Sequence, residues 1–237
     1  MRVKEFGEAD LLVSFFTPDK GRLKGMAKGA RRSSKRFVNC LDSFSLVELE
    51  FQLKRAGDLY FLTAGKLRNA YRGLRSDYAN LARASFMVEL TEVLFPLGVA
   101  EPEVFRLLAG SFDFLDQGRR AIAVQIAFES RVMVLGGYEI NLEKCCLCGR
   151  GYTGRGAAVF TRNRGGIACL KCQQETLLTP ALSPETVQLL KRLQRRPLEV
   201  LREFDPSDQS VEQIMPVLKL HREYRLERRL TTSKYVA

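Results

Sequence analysis

The sequence lacks tryptophan altogether and has a single histidine, His221, among its 237 residues. It contains no G-x-x-x-x-G-K-[S/T] motif, which excludes the phosphate-binding loop of P-loop nucleotide hydrolases. No paired acidic motif suggests a two-metal nuclease. A histidine general base is hard to build, because His221 lies among Lys219, Arg222 and Arg225 and these cations disfavour its protonation. We therefore predict that the protein is not an enzyme.

Long apolar runs are also missing. No stretch reaches the roughly 18 uninterrupted apolar residues of a transmembrane helix. The charges of Arg2 and Lys4 are not followed by the apolar segment of a signal peptide. We expect a cytoplasmic, nucleoid-associated protein with no membrane partner. In that reducing compartment, the six cysteines favour metal binding over disulfides.

Acidic residues are absent from two stretches, residues 20–36 and 149–174, in a chain with 38 Lys and Arg, 27 Asp and Glu and a net charge of +11. The first stretch holds eight cations, namely Lys20, Arg22, Lys24, Lys28, Arg31, Arg32, Lys35 and Arg36. An evenly spread excess would indicate only a basic surface. Concentrated cations indicate a polyanionic partner, and nucleic acid fits best.

The candidate DNA-binding residues lie on a segment that begins on a predicted strand and ends in a predicted loop, which suggests a flexible basic arm. Glycines and serines between the cations leave backbone amides accessible to phosphate. The candidates are Lys24, Lys28, Arg31, Arg32, Lys35 and Arg36. Nearby Phe37, Phe44, Tyr60 and Phe61 offer faces for base stacking, although aromatic side chains at such positions more often belong to a core.

The first 70 residues show the period-two alternation of strands. Five short antiparallel strands are predicted near residues 2–6, 9–16, 22–28, 47–54 and 58–67. Their number and size suit a small OB-type barrel, and a five-stranded open sheet would fit as well.

From about Asp77 the apolar residues recur with the period of helices. Two amphipathic helices are predicted first, and a third near 119–135 is apolar around most of its girth, as a central buried helix would be. Ser183-Pro184-Glu185 is a helix-start signal. A last helix is predicted near 211–230, in which Pro216 marks either a kink or the start.

Four cysteines have the spacing of two zinc knuckles, because Cys145-x-x-Cys148 and Cys169-x-x-Cys172 are separated by 20 residues. Four thiolates close the coordination sphere, so we predict one structural Zn²⁺ and no catalytic metal. Cys146 is the poorer ligand, since only one residue separates it from Cys148. Cys40 is expected to be a partly buried structural residue.

These patterns predict an α+β protein: an N-terminal five-stranded OB-type β-barrel followed by an all-helical domain with an inserted four-cysteine zinc finger. We place the DNA-binding barrel at residues 1–72 and the zinc finger at 142–177. The helical domain then comprises residues 73–141 and 178–237.

Several of these motifs together resemble those of a known family. Phe6-Gly7-Glu8-Ala9-Asp10, Thr17 to Gly21 and Ala27 to Arg32 are similar to the start of bacterial RecO recombination mediators. Cys145-x-x-Cys148-Gly149, Phe160 and Gly165 to Cys172 resemble the zinc module of that family, and His221 through Tyr235 its closing helix and tail. The resemblance covers nearly the whole chain.

The resemblance implies binding to single- and double-stranded DNA and annealing of complementary strands, without nucleotide hydrolysis. The implied partners are RecR, RecF and the C-terminal tail of single-strand binding protein, so that RecA can load onto single-stranded DNA. A second hypothesis is a protein-interaction adaptor whose helical domain docks an acidic peptide tail in an apolar groove with a basic rim, with only secondary DNA binding. A third is an RNA-binding zinc-ribbon protein, which leaves the Ala27 to Arg32 element unexplained.

Overall fold

The structure is a computed structural model that describes residues 2–53, 59–203 and 205–236. Lys54 and Asp58, at the ends of two predicted strands, lie outside the described residues. The chain divides into two compact units, Met1–Gly118 and Arg119–Ala237. Among the described residues, no helix is both long enough and apolar enough to cross a membrane.

Within the described residues, the N-terminal unit contains five strands followed by three α-helices. The strands are β1 (Arg2–Phe6), β2 (Asp10–Thr17), β3 (Gly21–Ala27), β4 (Leu46–Leu53) and β5 (Tyr60–Asn69). The helices are α1 (Arg72–Ser76), α2 (Tyr78–Leu94) and α3 (Pro102–Asp116). The five predicted strands are present, with bounds that agree to within two residues.

The five strands form one sheet in the order β1-β2-β3-β5-β4. Neighbouring strands are antiparallel except β3 and β5, which are parallel through Gly25 opposite Tyr60. The prediction that all five are antiparallel is wrong for this pair, because the chain crosses over before β4 and inserts β5 beside β3. Such a crossover is typical of the partly open, five-stranded Greek-key barrel of OB folds, so the predicted α+β fold is confirmed.

The interior of this sheet is completed by the segment that follows β3. Val13, Phe15, Leu23 and Leu62 from the strands pack with Phe37, and Cys40 is 1% exposed in the same cluster. Cys40 is therefore a structural residue, and it is buried more completely than predicted. The segment is anchored by these contacts and is not the flexible arm that its composition suggests.

A short helix, α1, was not predicted between the sheet and α2. It has five residues, which is too short for a helical stripe to appear. The carboxylate of Asp116 holds it by accepting hydrogen bonds from the backbone N–H groups of Gly73 and Leu74, at 2.7 and 3.3 Å. Asp77 then caps the start of α2 by accepting from the N–H of Ala79.

The C-terminal unit is built around α4 (Ala121–Leu135), which packs against three later helices as a central helix should. The later strands and α-helices of its described residues are β6 (Ala158–Thr161), β7 (Gly166–Cys169), β8 (Ala181–Leu182), α5 (Pro184–Arg195), α6 (Pro197–Glu203) and α7 (Asp208–Leu226). A 3₁₀ helix follows at Thr231–Tyr235. Ser183 caps α5 by accepting from the N–H of Thr186 at 3.2 Å. Helix α7 begins before Pro216 and continues past it, so Pro216 does not mark its start. Glu129 and Arg222 form a buried ion pair between α4 and α7.

Candidate nucleic-acid interface and metal centre

The candidate DNA-binding cations lie on β3 and on the segment after it, and all six are exposed. Lys24 projects from β3 on the face opposite to buried Leu23. Ala30 to Arg32 form a single 3₁₀ turn in which Ala30 is buried. The register places the end of β1, the start of β2 and the end of β3 at the same end of the sheet. Five of the six cations follow this end of the sheet, and we call residues 28–36 the basic end.

Two cations of the basic end are paired with carboxylates of the first hairpin. The guanidinium of Arg31 lies 3.3 Å from the carboxylate of Glu5, and that of Arg32 lies 3.6 Å from the carboxylate of Glu8. Arg31 also donates a backbone hydrogen bond to the carbonyl of Ala9, at 3.0 Å. Because both ion pairs are exposed to solvent, they stabilise the fold little and can exchange a carboxylate for a phosphate.

The other cations have no carboxylate partner within the ranges that the structure describes. The ammonium of Lys28 lies 5.4 Å from the ring centroid of Phe61, a cation–π arrangement. Arg36 donates to the carbonyl of Lys28 at 2.7 Å and lies over the ring of Phe37. Lys24 and Lys35 are exposed. Their charges are therefore available to a polyanion.

The structure separates the four aromatic candidates for base stacking. Phe37 is buried in the sheet interior, and Phe44 packs edge-on against Phe112 with centroids 5.8 Å apart. Tyr60 packs in the same way against Phe51, at 5.3 Å. Phe61 alone of the four lies on the outer face of the sheet, where it is partly exposed beneath Lys28.

A row of neighbouring residues on this outer face includes a cation that was not among the candidates. Register places Lys4 beside Leu12, Leu12 beside Met26, and Met26 beside Phe61. Lys4 stands at one end of this row and Gln52 lies beside Phe61 at the other, while the ammonium of Lys28 lies near the ring of Phe61. Leu12 and Phe61 are partly exposed, and Met26 between them is buried. The alternation of β1, with Val3 against the core, could have identified Lys4, but a strand of five residues gives a weak signal.

The four predicted metal ligands meet in the C-terminal unit. The Sγ atoms of Cys145, Cys148, Cys169 and Cys172 all lie within 4.8 Å of one another, and those of Cys148 and Cys169 are 4.0 Å apart. In a tetrahedron with metal–sulfur bonds of about 2.3 Å, sulfurs are about 3.8 Å apart. The four cysteines could therefore hold one metal ion. Cys146 is not part of this cluster, and burial raises the pKa of its thiol.

The backbone around Cys145 favours its thiolate. Burial raises the pKa of the Cys145 thiol, but backbone N–H groups outweigh that effect and lower the pKa to about 6. The N–H groups of Cys148 and Cys169 lie 3.5 and 3.3 Å from its sulfur. Gly149 allows the knuckle to close, because its φ of 75° is accessible mainly to glycine. The thiolate, which these N–H groups stabilise, is the form of cysteine that binds zinc.

His221 is not available for acid–base chemistry on a substrate. It is fully buried in α7, where its Nε2 lies 2.8 Å from the carbonyl of Tyr138 and its ring packs edge-on against Phe160. Burial lowers its pKa to about 4, opposed by the hydrogen bond to Tyr138 and assisted by the charge of Arg225. The imidazole is therefore neutral at physiological pH and part of the core.

Comparison with known proteins gives matches along nearly the whole chain. The family model described as Recombination protein O N terminal matches residues 1–71, and Recombination protein O C terminal matches residues 75–234. Three similar relatives bear the name DNA repair protein RecO. That of Syntrophobacter fumaroxidans is 34% identical over 192 residues, which are 81% of this chain and 76% of the relative. That of Syntrophotalea carbinolica is 32% identical over 209 residues, covering 88% and 80%. That of Anaeromyxobacter sp. strain K is 28% identical over 236 residues, covering 100% and 92%.

Proposed function

Because the chain belongs to the RecO family, we propose that it is a mediator of DNA repair and homologous recombination that binds single- and double-stranded DNA and anneals complementary strands. It helps RecA to load onto single-stranded DNA covered by single-strand binding protein. It does so with RecR and RecF and by contacting the C-terminal tail of single-strand binding protein. The protein itself performs no chemical step.

The observation that carries this proposal is the exposure of six cations on β3 and the basic end, in a stretch of 17 residues, 20–36, without a carboxylate. Each lysine or arginine that contacts a phosphate releases counterions, which drives binding without reference to sequence. The partly exposed side chains of Leu12 and Phe61 offer an apolar surface for bases beside these cations. Sequence-independent binding of this kind is what annealing of arbitrary complementary strands requires.

We propose that the metal is Zn²⁺ and that it is structural, held by Cys145, Cys148, Cys169 and Cys172. Four sulfur ligands select zinc over magnesium or calcium and leave no open coordination position. When bound, the ion would supply the cross-link that a module of about 35 residues needs, since such a segment buries too little apolar surface to fold alone.

We further propose that residues 1–72 are the DNA-binding domain and 142–177 the zinc finger, within a helical domain of residues 73–141 and 178–237. The two family models meet near the first of these boundaries, between residues 71 and 75. Helices α2 and α3 nevertheless pack in the N-terminal unit, which extends to Gly118. Helices α2 and α3 are therefore part of the same compact unit as the sheet, although the proposed boundary assigns them to the helical domain.

The adaptor hypothesis requires an apolar groove with a basic rim. An apolar cavity of about 370 Å³ in the N-terminal unit is lined by Phe15, Phe51 and Phe112, but also by Asp19 and Asp42. Those carboxylates would repel an acidic peptide. DNA binding is therefore the better-supported function for this unit.

The proposal is tested by annealing of complementary DNA strands coated with single-strand binding protein, in the absence of nucleotide. We expect the protein to accelerate annealing. A variant in which Lys24, Lys28 and Lys35 are replaced by glutamine should do so poorly, because three unpaired cations are lost. Absence of any acceleration by the unaltered protein would contradict the proposal.

A further inference from the structure

A second concentration of positive charge lies in the C-terminal unit, at the tip of the hairpin formed by β6 and β7. The loop between the two strands, residues 162–165, places Arg162, Asn163 and Arg164 in solvent, while Thr161 and Gly166 on either side are buried. We call Arg162, Arg164 and the neighbouring Arg225 of α7 the hairpin surface.

Arg225 is brought to the hairpin by direct packing. Gly165 has a φ of 61°, and the space that a Cβ would need there is filled by the guanidinium of Arg225. The guanidinium therefore lies against the backbone of the hairpin turn, within the same unit as Arg162 and Arg164. The loop therefore carries two exposed arginines, and Arg225 of α7 packs against the same turn.

The charges of the hairpin surface are not neutralised. Arg162, Arg164 and Arg225 form no ion pair with a carboxylate of the described residues. The surrounding sequence from residue 149 to 174 contains five cations and no carboxylate. In this respect the hairpin surface differs from Arg31 and Arg32 of the basic end, which already have carboxylate partners.

The hairpin is also held in place before any ligand arrives. The N–H of Asn141 donates to the carbonyl of Gly165 at 2.9 Å, and the N–H of Cys146 donates to that of Ile167 at 2.8 Å. Strand β7 ends at Cys169, one of the four clustered cysteines. A surface fixed in this way loses little conformational entropy on binding, which favours affinity.

We propose that the hairpin surface is a second binding site for the phosphates of DNA, separate from the sheet of the N-terminal unit. Guanidinium groups bind phosphate oxygens through paired hydrogen bonds, and the amide of Asn163 between them adds a neutral donor of the kind that contacts phosphate. This inference rests on the proposed function and extends it. A chain with a DNA site in each compact unit can hold two strands at once, which annealing needs.

The test measures the salt dependence of binding to a fluorescent oligothymidylate by anisotropy, using the full chain. In the variant R162Q/R164Q, the slope of log affinity against log salt should become shallower by about 1.4, from about 0.7 per phosphate contact on single strands. R162K/R164K keeps both charges and should retain the wild-type slope. The matched control R119Q/R202Q removes two exposed arginines elsewhere in the same unit and should change the slope by much less.

The outcomes separate this inference from the proposed function. If the unaltered chain does not bind the oligonucleotide at any salt concentration, both fail. If it binds and R162Q/R164Q has the slope of the control, the hairpin site alone is refuted. Polyglutamate serves as a parallel probe: loss of polyglutamate binding with an unchanged DNA slope would assign the surface to an acidic protein and overturn the inference. Because both arginines are exposed, the variants should keep the wild-type thermal melting temperature.

Discussion

Removing two carboxylates should strengthen DNA binding. Glu5 and Glu8 lie 3.3 and 3.6 Å from the guanidinium groups of Arg31 and Arg32, so both arginines must leave a carboxylate to reach a phosphate. In the variant E5Q/E8Q they are free before DNA arrives. Solvent-exposed pairs of this kind contribute about 0–1 kcal/mol each to folding, so the variant should remain folded.

The size of the effect follows from counterion release. Two additional full phosphate contacts would steepen the salt slope by up to about 1.4 on single-stranded DNA. Between 50 and 200 mM salt, the affinity of the variant should therefore fall about sevenfold more than that of the unaltered chain. The variant should bind more tightly at the low-salt end. Anisotropy titrations of an oligothymidylate at four salt concentrations would measure both quantities.

A control is needed because any loss of two negative charges favours a polyanion. E175Q/E212Q makes the same change in net charge at two exposed glutamates of the C-terminal unit. The variant E5Q/E8Q should exceed this control in both affinity and slope. Equal behaviour of the two variants would mean that Arg31 and Arg32 do not contact phosphate.

Three further predictions concern the C-terminal unit. His221 has a pKa of about 4 in the folded protein, against about 6.5 in the unfolded chain, so its contribution to stability is fully present above pH 6.5 and falls by about 3 kcal/mol as the pH drops toward 4. H221Q keeps a donor for the carbonyl of Tyr138, and denaturant titrations should show that its free energy of unfolding lacks this decrease at acid pH. A strong chelator should abolish hydrogen-exchange protection of the β6–β7 hairpin and leave that of the N-terminal sheet intact, because structural zinc contributes about 10–16 kcal/mol to small zinc modules. Protection of the hairpin that survives the chelator would refute a structural metal. Gly165→Ala should destabilise the protein by about 1–2 kcal/mol, because the backbone there is left-handed and the new Cβ displaces Arg225. In the control Gly151→Ala the new Cβ meets no atom within 4 Å, so this variant should melt at nearly the wild-type temperature.

Features that depend on local periodicity or spacing could be predicted from the sequence. Strand alternation predicted β1 to β5 because each strand has one face against a core. The two C-x-x-C knuckles predicted the sulfur cluster, since the ligand spacing itself defines the geometry. The apolar girth of α4 predicted its central position, because only a helix surrounded by others can bury all of its faces.

Features that depend on contacts between distant residues could not be predicted. Glu5 and Arg31 are 26 positions apart, and only the register of β1, β2 and β3 brings them together. The parallel pairing of β5 with β3 follows from a crossover that no local pattern specifies. Tyr60 and Phe61 are adjacent in sequence, yet one packs inside the sheet and the other outside. The register of β3 and β5 decides that Tyr60 packs inside and Phe61 outside.

The most direct test of the central claim, that the cations of β3 and the basic end hold the phosphate chain, is photo-crosslinking to a single-stranded oligonucleotide followed by peptide mapping. We predict crosslinks in the peptides that contain residues 24–36 and Phe61, diminished in the variant in which Lys24, Lys28 and Lys35 are glutamine. Crosslinks that are absent from these peptides, in a chain that binds the oligonucleotide, would contradict the claim.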